Sequence, residues 1–360
     1  MHTIALLRDN PAGESVRILA THASPDSPVL AVADVTEPEP DDDLTEEQYV
    51  QWALGVCERH GVDVVIPRLH AAAIAGARAR FAHAGVATVV PPREAILRLH
   101  DKVGAYEDAA RDGLPVPPYR VARTAAELLD AFDELERRFG RVCVKPVLGV
   151  GGEGFYELLR RPLALPELLG PLQSLLDVRT LAAALERERA AVPPLLVMPV
   201  LPGPEVSVDC LADADGTLLA AVPRGKRGYR RFLLDDPAAT AIARSVVARH
   251  RLAFLSNTQV RSWQQPGVDP APRPYLLETN PRASGGIAQT ARAGVNLPWA
   301  AVELALGRRP APLHPRLGAS FTTVPTIVEP SGEPRGQGLG GEQVHQADVL
   351  VGDTERPRPR

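Results

Sequence analysis

A carboxylate and a carboxamide lie two residues apart at the end of a predicted strand, within the segment Leu276–Arg282. Because side chains alternate between the two faces of a strand, Glu278 and Asn280 are expected on one face. Gln259, on the preceding predicted strand, would add a third oxygen donor to that face. Such donors suit Mg²⁺, which keeps its other positions for water and substrate phosphates. With Arg282 nearby, the cluster predicts a metal–phosphate site, although an Asn-Pro pair is also a common start of a turn.

Lysine is rare in this chain. Lys102, Lys145 and Lys226 are the only lysines among 40 cationic residues, and the others are arginine. The bias predicts that lysine is kept where a compact ammonium is needed, for example against a single phosphate oxygen, which a planar guanidinium fits less well. Lys145 ends a predicted strand, Arg141–Lys145, and Lys102 lies at the start of a predicted helix, Asp101–Arg111. Both are therefore candidates for contacts with phosphate.

A glycine-rich segment follows Lys145. It satisfies the G-x-G-x-x-G pattern of a dinucleotide-binding turn, with glycines at Gly149, Gly151, Gly152 and Gly154. That pattern needs a helix to begin at the last glycine, whereas the next residues, Phe155–Leu159, predict a strand. A glycine loop between two strands can place bare backbone N–H groups over phosphate oxygens. We therefore predict a phosphate-covering flap. A plain structural hairpin is the alternative for this segment, and a dinucleotide-binding turn of an NAD-dependent enzyme is a weaker alternative.

A basic loop surrounds the third lysine. Five cations interrupted by glycines lie between Pro223 and Arg231, and Arg224 and Lys226 are the candidates within it for contact with a transferred phosphate or an acidic substrate. A solvated basic loop is an equal alternative. Arg261, two residues from Gln259 on the same strand face, is a further candidate for a substrate carboxylate.

The elements that must position these residues begin with a strand–helix alternation, which predicts a parallel sheet with crossover helices. Its expected strands are apolar runs at Ile4–Leu7, Val29–Ala33, Val62–Ile66 and Val86–Val90. Its expected helices are Glu46–His60, ending at Gly61, and Ala71–Ala84, ending at Gly85.

After Pro92 the pattern becomes mixed. Helices are expected at Arg93–Leu99, at Asp101–Arg111, from Thr124 to Phe139, over Leu165–Ala191 with a break at Gly170-Pro171, from Pro237 to His250 and from Pro298 to Gly307. The Thr124 start matches a capping box, and Pro237 follows an Asp cap. Besides the strands named above, the expected strands are Leu195–Val200, Glu205–Ala212, Leu218–Val222, Thr258–Trp263, Tyr275–Glu278 and Phe321–Val328.

Composition limits the classes of function that the protein is expected to have. Hydrophobic residues make up 45% of the 360 residues, and the net charge of −4 argues against a dedicated nucleic-acid binder. No uncharged apolar run is long enough for a membrane helix. The cysteines Cys57, Cys143 and Cys210 lack metal-type spacing, which predicts a reducing, cytoplasmic location and no structural zinc.

Taken in order, these motifs resemble the ATP-grasp superfamily, particularly its carboxylate–amine ligase and carbamoyl-phosphate-synthetase-like branches. The resemblance covers roughly Val86–Gly307. It implies an α/β (α+β ATP-grasp) architecture, in which an N-terminal parallel-sheet, Rossmann-like pre-ATP-grasp domain precedes a two-subdomain ATP-grasp fold. The implied limits are 1–91 for the first domain, 92–310 for the second with a flap subdomain at about 115–197, and 311–360 for a C-terminal strand and a Pro/Gly/Arg-rich tail.

The resemblance also implies residue roles. Lys102, Lys145 and the flap glycines match phosphate contacts, and Arg282 matches the arginine that touches the transferred phosphate. Gln259, Glu278 and Asn280 match the ligands of Mg²⁺, or of Mn²⁺ in its place. The hinge that reads adenine matches Met198, Pro199, Val200 and Leu201, and Glu205 matches the ribose contact. The family usually has a glutamate at the position of Met198.

The implied activity is an ATP- and Mg²⁺-dependent ligase that phosphorylates a carboxylate and couples the acyl phosphate to an amine. Its partners would be small-molecule carboxylate and amine substrates, without nucleic acid or membrane, and a homodimer is compatible with the resemblance. Two alternatives stay open: a carboxyphosphate-forming enzyme of the carboxylase or carbamoyl-phosphate type, and a catalytically inactive ATP-binding module.

Overall fold

A computed structural model describes residues 2–40, 43–149, 154–170, 174–188 and 193–325, and the pair 348–349. Within these residues no helix is both long enough and apolar enough to cross a membrane. The predicted mixed α/β fold is confirmed, with two large sheets that carry most of the candidate residues.

The first hundred residues form short elements. They are α1 (His2–Arg8), β1 (Leu19–His22), α2 (Pro28–Ala31), β2 (Val35–Pro38), α3 (Glu46–His60), β3 (Val64–Val65), α4 (Ala71–Gly76), α5 (Arg78–His83), β4 (Ala87–Thr88) and α6 (Arg93–His100). The expected parallel pairing is present, but β1–β2 and β3–β4 form two separate two-stranded ladders instead of one sheet. The capping box at Thr45 and the left-handed Gly61 bound α3, because together they satisfy the free backbone groups at both helix ends.

Two strands expected in this region are helices. Residues 4–7 lie in α1, and most of 29–33 lies in α2, which starts with Pro28 at its first position. Runs of four or five apolar residues do not distinguish a strand from a helix by periodicity. A tertiary contact stabilises α1, because Nδ2 of Asn296 donates to the carbonyls of Leu6 at 2.6 Å and Asp9 at 3.2 Å.

The first large sheet has five strands in the order β5-β9-β6-β7-β8. Its elements follow α7 (Lys102–Arg111) and are β5 (Arg120–Ala122), α8 (Ala125–Phe139), β6 (Val142–Pro146), β7 (Tyr156–Leu159), α9 (Leu165–Leu169), β8 (Leu175–Asp177), α10 (Val178–Arg187) and β9 (Leu195–Pro199). Helices α8 and α10 pack on it through a common core. The helix expected over Leu165–Ala191 is therefore wrong in its centre, where β8 pairs with β7 and its last residue, Asp177, caps α10.

The second large sheet has six strands in the order β14-β13-β10-β11-β12-β15, and all neighbours are antiparallel. Its elements are β10 (Glu205–Ala212), β11 (Leu218–Arg227), β12 (Arg230–Leu233), α11 (Pro237–His250), β13 (Phe254–Trp263), β14 (Arg273–Asn280), a 3-10 helix (Ile287–Ala293), α12 (Leu297–Ala305) and β15 (Ser320–Thr322). A two-residue strand, β16 (Val324–Pro325), pairs with β17 (Asp348–Val349). The end of the strand expected at Phe321–Val328 lies outside the described residues.

The alternation of side chains along β10 divides this sheet into two faces. Val206, Val208 and Cys210 pack against α11 on one face. Leu211 lies on the opposite face, in the core that includes the 3-10 helix and α12. Glu205, Ser207 and Asp209 share its parity, so the polar face of β10 is turned to that side.

Candidate functional site

Four polar residues form a row across four strands of the six-stranded sheet. Arg224 on β11 lies opposite Ser207 on β10, Ser207 lies opposite Gln259 on β13, and Gln259 lies opposite Glu278 on β14. Nδ2 of Asn280 donates to Oε1 of Glu278 at 3.1 Å, as expected for neighbours on one face. The structure therefore brings the three predicted metal ligands together at one end of the row.

A β-bulge in β14 lies beside these ligands. Gln259 pairs with Glu278, but the next residue of β13, Val260, pairs with Leu276, so Leu277 is the extra residue. A bulge turns a backbone group away from the ladder. Here the Leu277 carbonyl accepts hydrogen bonds from the Tyr106 hydroxyl at 2.8 Å and from Nζ of Lys145 at 3.3 Å. The bulge thus ties α7 and β6 to the strand that carries Glu278.

The two site lysines come from different elements. Lys102 is the first residue of α7, after the Asp101 cap, and its Nζ donates to the Gly149 carbonyl at 2.9 Å. Burial lowers the pKa of Lys102 and of Lys145, and the negative charge of Glu278 partly opposes this for both. Glu278 acts on both ammonium groups, and Asp101 acts on Lys102. With Arg282, which also feels Glu278, three cations face two carboxylates, and an anionic ligand would balance the excess positive charge.

Arg282 follows Glu278 and Asn280 in sequence and lies close enough to Glu278 to feel its charge. Burial lowers its pKa, and Glu278 opposes that shift. Its Nη1 donates to the Ala283 carbonyl at 3.2 Å, and Nη1 of Arg68 donates to the same oxygen at 3.0 Å. Among the described residues, Glu278 forms no ion pair with any of these cations.

The glycine segment joins β6 and β7, which pair as an antiparallel hairpin. Gly149 and Gly154 have positive φ angles of 139° and 68°, and a Cβ on Gly154 would lie 2.8 Å from Pro146. Gly151 and Gly152 lie outside the described residues. Because β7 follows Gly154 where a dinucleotide fingerprint needs a helix, the NAD-dependent alternative is wrong.

The predicted hinge begins within the last two residues of β9, Met198 and Pro199, and continues to Leu201. Met198 is buried opposite Cys143, and its Sδ lies 3.9 Å from the Tyr106 hydroxyl. The carbonyl of Pro199 lies 3.9 Å from the Cys143 thiol, while the N–H of Val200 donates to the Arg141 carbonyl at 2.9 Å. A contact between the Met198 sulfur and the Tyr106 hydroxyl is therefore present at the position where the resemblance leads one to expect an acid.

Arg261 supports the hinge from the second sheet. Its Nη1 donates to the Leu201 carbonyl at 3.2 Å, and it lies directly opposite Glu205. Gly203 approaches the same strand so closely that a Cβ would lie 2.1 Å from the Ser262 carbonyl. This packing places Arg261 against the hinge backbone, whereas the sequence suggested that it faces a substrate.

Arg224 is buried in a polar network. Its Nε donates to Asp209 at 2.6 Å, Nη1 to Gln289 at 3.1 Å and Nη2 to Ser284 at 2.9 Å. Asn257 completes the network through Nδ2, which donates to Asp209 at 2.8 Å. All three guanidinium nitrogens therefore have protein partners. Lys226, by contrast, is exposed on the same strand.

Tyr106 is the site residue that sequence reasoning missed. It follows Lys102 by four positions, one helical turn, so the two lie on the same helix face. That spacing was a usable signal. No signal in the sequence pointed to the Leu277 carbonyl, because the bulge depends on how β13 and β14 pair.

The donors fit Mg²⁺ better than a softer metal. No group of three or more His, Cys, Asp or Glu side chains that could hold a metal occurs in the described part of the chain. One carboxylate and two carboxamides instead make an oxygen set of low charge, as expected for a hard ion that is also bound by substrate phosphates.

The chain is similar to a protein family and to several solved structures. Residues 191–327 match the family described as ATP-grasp in the biosynthetic pathway with Ter operon. No curated protein matches the sequence. Among solved structures, a biotin carboxylase complex from Campylobacter jejuni has a TM-score of 0.62 at 16% identity, covering 89% of this chain and 71% of that one.

Two further structures are similar. An ADP complex of N5-carboxyaminoimidazole ribonucleotide synthetase has a TM-score of 0.60 at 15% identity, covering 89% of this chain and 78% of that one. The biotin carboxylase domain dimer of the Hydrogenobacter thermophilus 2-oxoglutarate carboxylase, in complex with MgADP, ADP and bicarbonate, has a TM-score of 0.60 at 14% identity, covering 88% and 70%.

Proposed function

We propose, from the ATP-grasp fold that these similarities establish, that the protein is an ATP- and Mg²⁺-dependent ligase acting on a carboxylate and an amine. One observation carries the proposal. The negative charge of Glu278 acts on Lys102, Lys145 and Arg282 and opposes the lowering of their pKa values by burial, yet within the described residues Glu278 forms an ion pair with none of them. A metal ion and the phosphates of a nucleotide would complete this charge arrangement.

In the proposed complex, Lys102, Lys145 and the flap residues Gly149, Gly151, Gly152 and Gly154 bind the nucleotide phosphates. The hinge, Met198–Leu201, binds adenine, with the Pro199 carbonyl and the Leu201 N–H as its polar groups. Glu205 accepts hydrogen bonds from the ribose. The hydrogen bond of Arg261 to Leu201 supports this assignment, because it holds the hinge backbone against the second sheet.

Glu278, Asn280 and Gln259 would hold Mg²⁺. When bound, the metal supplies charge neutralisation between the phosphates, and Mn²⁺ satisfies the same oxygen donors. The hydrogen bond between Asn280 and Glu278 orients the carboxylate through Oε1. Arg282 would neutralise the transferred phosphoryl group.

The proposed reaction has two steps. A substrate carboxylate oxygen attacks the γ-phosphorus of ATP, the bond to the bridging oxygen breaks, and ADP leaves. An amine nitrogen then attacks the acyl carbon, and phosphate leaves as the amide forms. Phosphoryl transfer needs positioning and charge neutralisation more than a protein nucleophile, which agrees with a site of cations and a single carboxylate.

An isotope experiment tests this function. A panel of ¹⁸O-labelled carboxylates with amines is incubated with MgATP, and ADP release and phosphate mass are measured. The proposal expects one ¹⁸O per released phosphate and hydroxamate formation when hydroxylamine replaces the amine. Release of labelled phosphate only from labelled bicarbonate would favour the carboxyphosphate alternative. Tight ATP binding without ADP release would favour the inactive module.

The wider organisation is also proposed. We propose domains at 1–91 and 92–310, with a flap subdomain at about 115–197 and a C-terminal segment at 311–360. A cytoplasmic homodimer is compatible with the buried free cysteines and with the dimeric 2-oxoglutarate carboxylase domain. Sedimentation at several concentrations tests the dimer, and limited proteolysis tests the boundaries.

A further inference from the structure

A cavity of about 260 Å³ lies on the polar face of the six-stranded sheet. Three strands form its floor, through Glu205 and Ser207 of β10, Arg224 to Lys226 of β11 and Gln259 of β13. The turn 284–286 and Gln289 form one wall, and His2, Arg231 and Thr323 close the other side. The volume is below the usual 300–1,000 Å³ range for drug-sized ligands, so the cavity suits a small metabolite.

Hydrogen bonds hold Arg224, on the floor of this cavity, to the residues of its wall. Arg224 is only 8% exposed, and its three nitrogens are held by Asp209, Gln289 and Ser284. Gly286 is required for this placement, because a Cβ there would lie 2.5 Å from Nη1 of Arg224. Since Asp209 balances the charge of Arg224, Arg224 and its partners contribute shape and hydrogen-bonding groups to the cavity with little net charge.

The outer end of the cavity carries unbalanced positive charge. Lys226 and Arg231 lie directly opposite each other on β11 and β12, and both line the cavity. Like charges directly opposite on neighbouring strands destabilise a sheet. Nη1 of Arg231 donates to the carbonyls of Gly228 at 2.7 Å and Arg230 at 3.4 Å. Within the part of the chain that the structure describes, neither cation forms an ion pair with a carboxylate, and the side chain of Lys226 forms no hydrogen bond.

The next pair along the hairpin provides an internal comparison. Arg227 and Arg230 are also directly opposite each other, but alternation turns them to the other sheet face. They do not line the cavity. The hairpin therefore offers two cation pairs of similar composition, of which one faces the cavity and the other does not.

The inner end of the cavity adjoins the proposed metal site. Gln259 lines the cavity and lies opposite Glu278. Two strand spacings of 4.7–4.9 Å, about 10 Å in all, separate β13 from β11. An acid bound with one carboxylate near Gln259 would therefore need a second anionic group several bonds away to reach Lys226 and Arg231.

We propose that this cavity binds the carboxylate substrate, and that this substrate is a small acid with a second anionic group held between Lys226 and Arg231. The assignment of the cavity to the substrate rests on the ligase function proposed above. The second anionic group is a carboxylate or a phosphate-like group, since either balances two cations. Lys226 is thus a specificity residue, and Arg224 positions the cavity wall.

Binding measurements test the proposal independently of turnover. The probes are linear dicarboxylates from malonate to adipate, ω-phosphonocarboxylates of similar length, and monocarboxylates with the same carbon counts. Calorimetry is carried out in the presence of MgADP with the wild type, Lys226→Gln and Arg231→Gln. Arg227→Gln and Arg230→Gln are the matched controls from the other face of the hairpin.

We expect at least one doubly charged probe to bind more tightly than the monocarboxylate of equal length. Lys226→Gln and Arg231→Gln should weaken that probe by about 10- to 100-fold, as for one lost charged hydrogen bond, whereas the two controls should leave it within about twofold. Equal binding of singly and doubly charged acids overturns the proposal, as does an equal loss in the controls. If the doubly charged probes bind with the expected dependence on Lys226 and Arg231 but none releases ADP with any amine, the recognition of a doubly charged acid by the cavity stands, and the ligase function, with the role of that acid as its substrate, fails.

Discussion

Lys145 donates from Nζ to the backbone carbonyl of Leu277, 3.3 Å away, and so joins the five-stranded sheet to the six-stranded sheet. The lysine lies on β6, beside the flap, and the carbonyl belongs to the bulge next to Glu278. A side chain proposed to bind phosphate is thus held by the strand that carries two of the three proposed metal ligands, Glu278 and Asn280. Any movement between the two sheets would change both parts of the site together.

Replacing Lys145 with Met should stabilise the protein without nucleotide. Burial lowers the pKa of Lys145 below its ordinary 10.5, so the charged ammonium destabilises the fold at neutral pH. This cost is fully present below the folded-state pKa and disappears as the pH rises through the ordinary value. We expect the melting temperature to rise by about 2–4 °C at pH 7, to change less at pH 10, and no longer to respond to MgATP.

Tyr106→Phe is the comparison for that variant. It removes the other donor to the Leu277 carbonyl without removing a charge, and it should lower the melting temperature at both pH values. If Lys145→Met also lowers the melting temperature at pH 7, the hydrogen bond to Leu277 outweighs the cost of burial and the prediction is wrong.

Glu278→Gln should separate metal binding from folding. The amide keeps the size of the side chain and can still accept from Asn280, but it removes the single carboxylate of the oxygen cluster. We expect ADP release to fall by about 100-fold or more, together with a higher Mg²⁺ concentration for half-saturation. Glu157→Gln, which disrupts the ion pair with exposed Arg141, is the control. If both variants and the wild type reach half-saturation at similar Mg²⁺ concentrations, Glu278 does not bind the metal.

Asp209→Ala should destabilise the fold strongly. The carboxylate is fully buried and binds Arg224 and Asn257, so its loss leaves a buried guanidinium without its counter-charge. We expect the free energy of unfolding in urea to fall by about 3–5 kcal/mol. Asp133→Ala, at an exposed ion pair with Arg160, should cost less than about 1 kcal/mol.

A double substitution distinguishes charge from packing at this site. In Asp209→Leu with Arg224→Met, both charges are replaced by apolar side chains, so most of the lost stability should return. A double variant as unstable as Asp209→Ala would show that the hydrogen bonds to Gln289 and Ser284 dominate the energy of the network.

Gly203→Ala should perturb the hinge. A Cβ at this position would lie 2.1 Å from the Ser262 carbonyl, and a backbone atom cannot move aside as a side-chain end can. We expect a loss of about 1–3 kcal/mol in the free energy of unfolding and weaker ATP binding by calorimetry. Gly55→Ala is the control, because in α3 a Cβ would be in ordinary contact with Arg59. The free energy of unfolding of Gly55→Ala should rise by about 0.5–1 kcal/mol. An unchanged ATP affinity in Gly203→Ala would show that the loop at Gly203 is not part of the nucleotide site.

Local signals alone were enough for several elements. Gly61 ends α3 and Pro237 begins α11 at the expected residues, because caps act within one helical turn. Period-2 spacing likewise placed Glu278 and Asn280 on one face of a strand. Such predictions need only the identities of residues that are near one another in the sequence.

Other features depend on distant contacts. The N-terminal run at residues 4–7 is helical with Asn296 against its end, and β8 is a strand because β7 lies beside it. Neither partner is encoded within the segment itself, so hydrophobic periodicity could not decide the conformation.

The candidate site divides in the same way. Residue types by themselves determined its chemistry: three lysines among many arginines, one carboxylate with two amides, and a glycine segment between strands. Only the tertiary structure decided how these groups meet, through the bulge at Leu277, the burial of Arg224 against Asp209 and the facing of Lys226 and Arg231 across a hairpin. The physical reason is that strand register and burial arise from contacts between distant segments. Those contacts determine which charged side chains have a counter-charge from the protein and which do not.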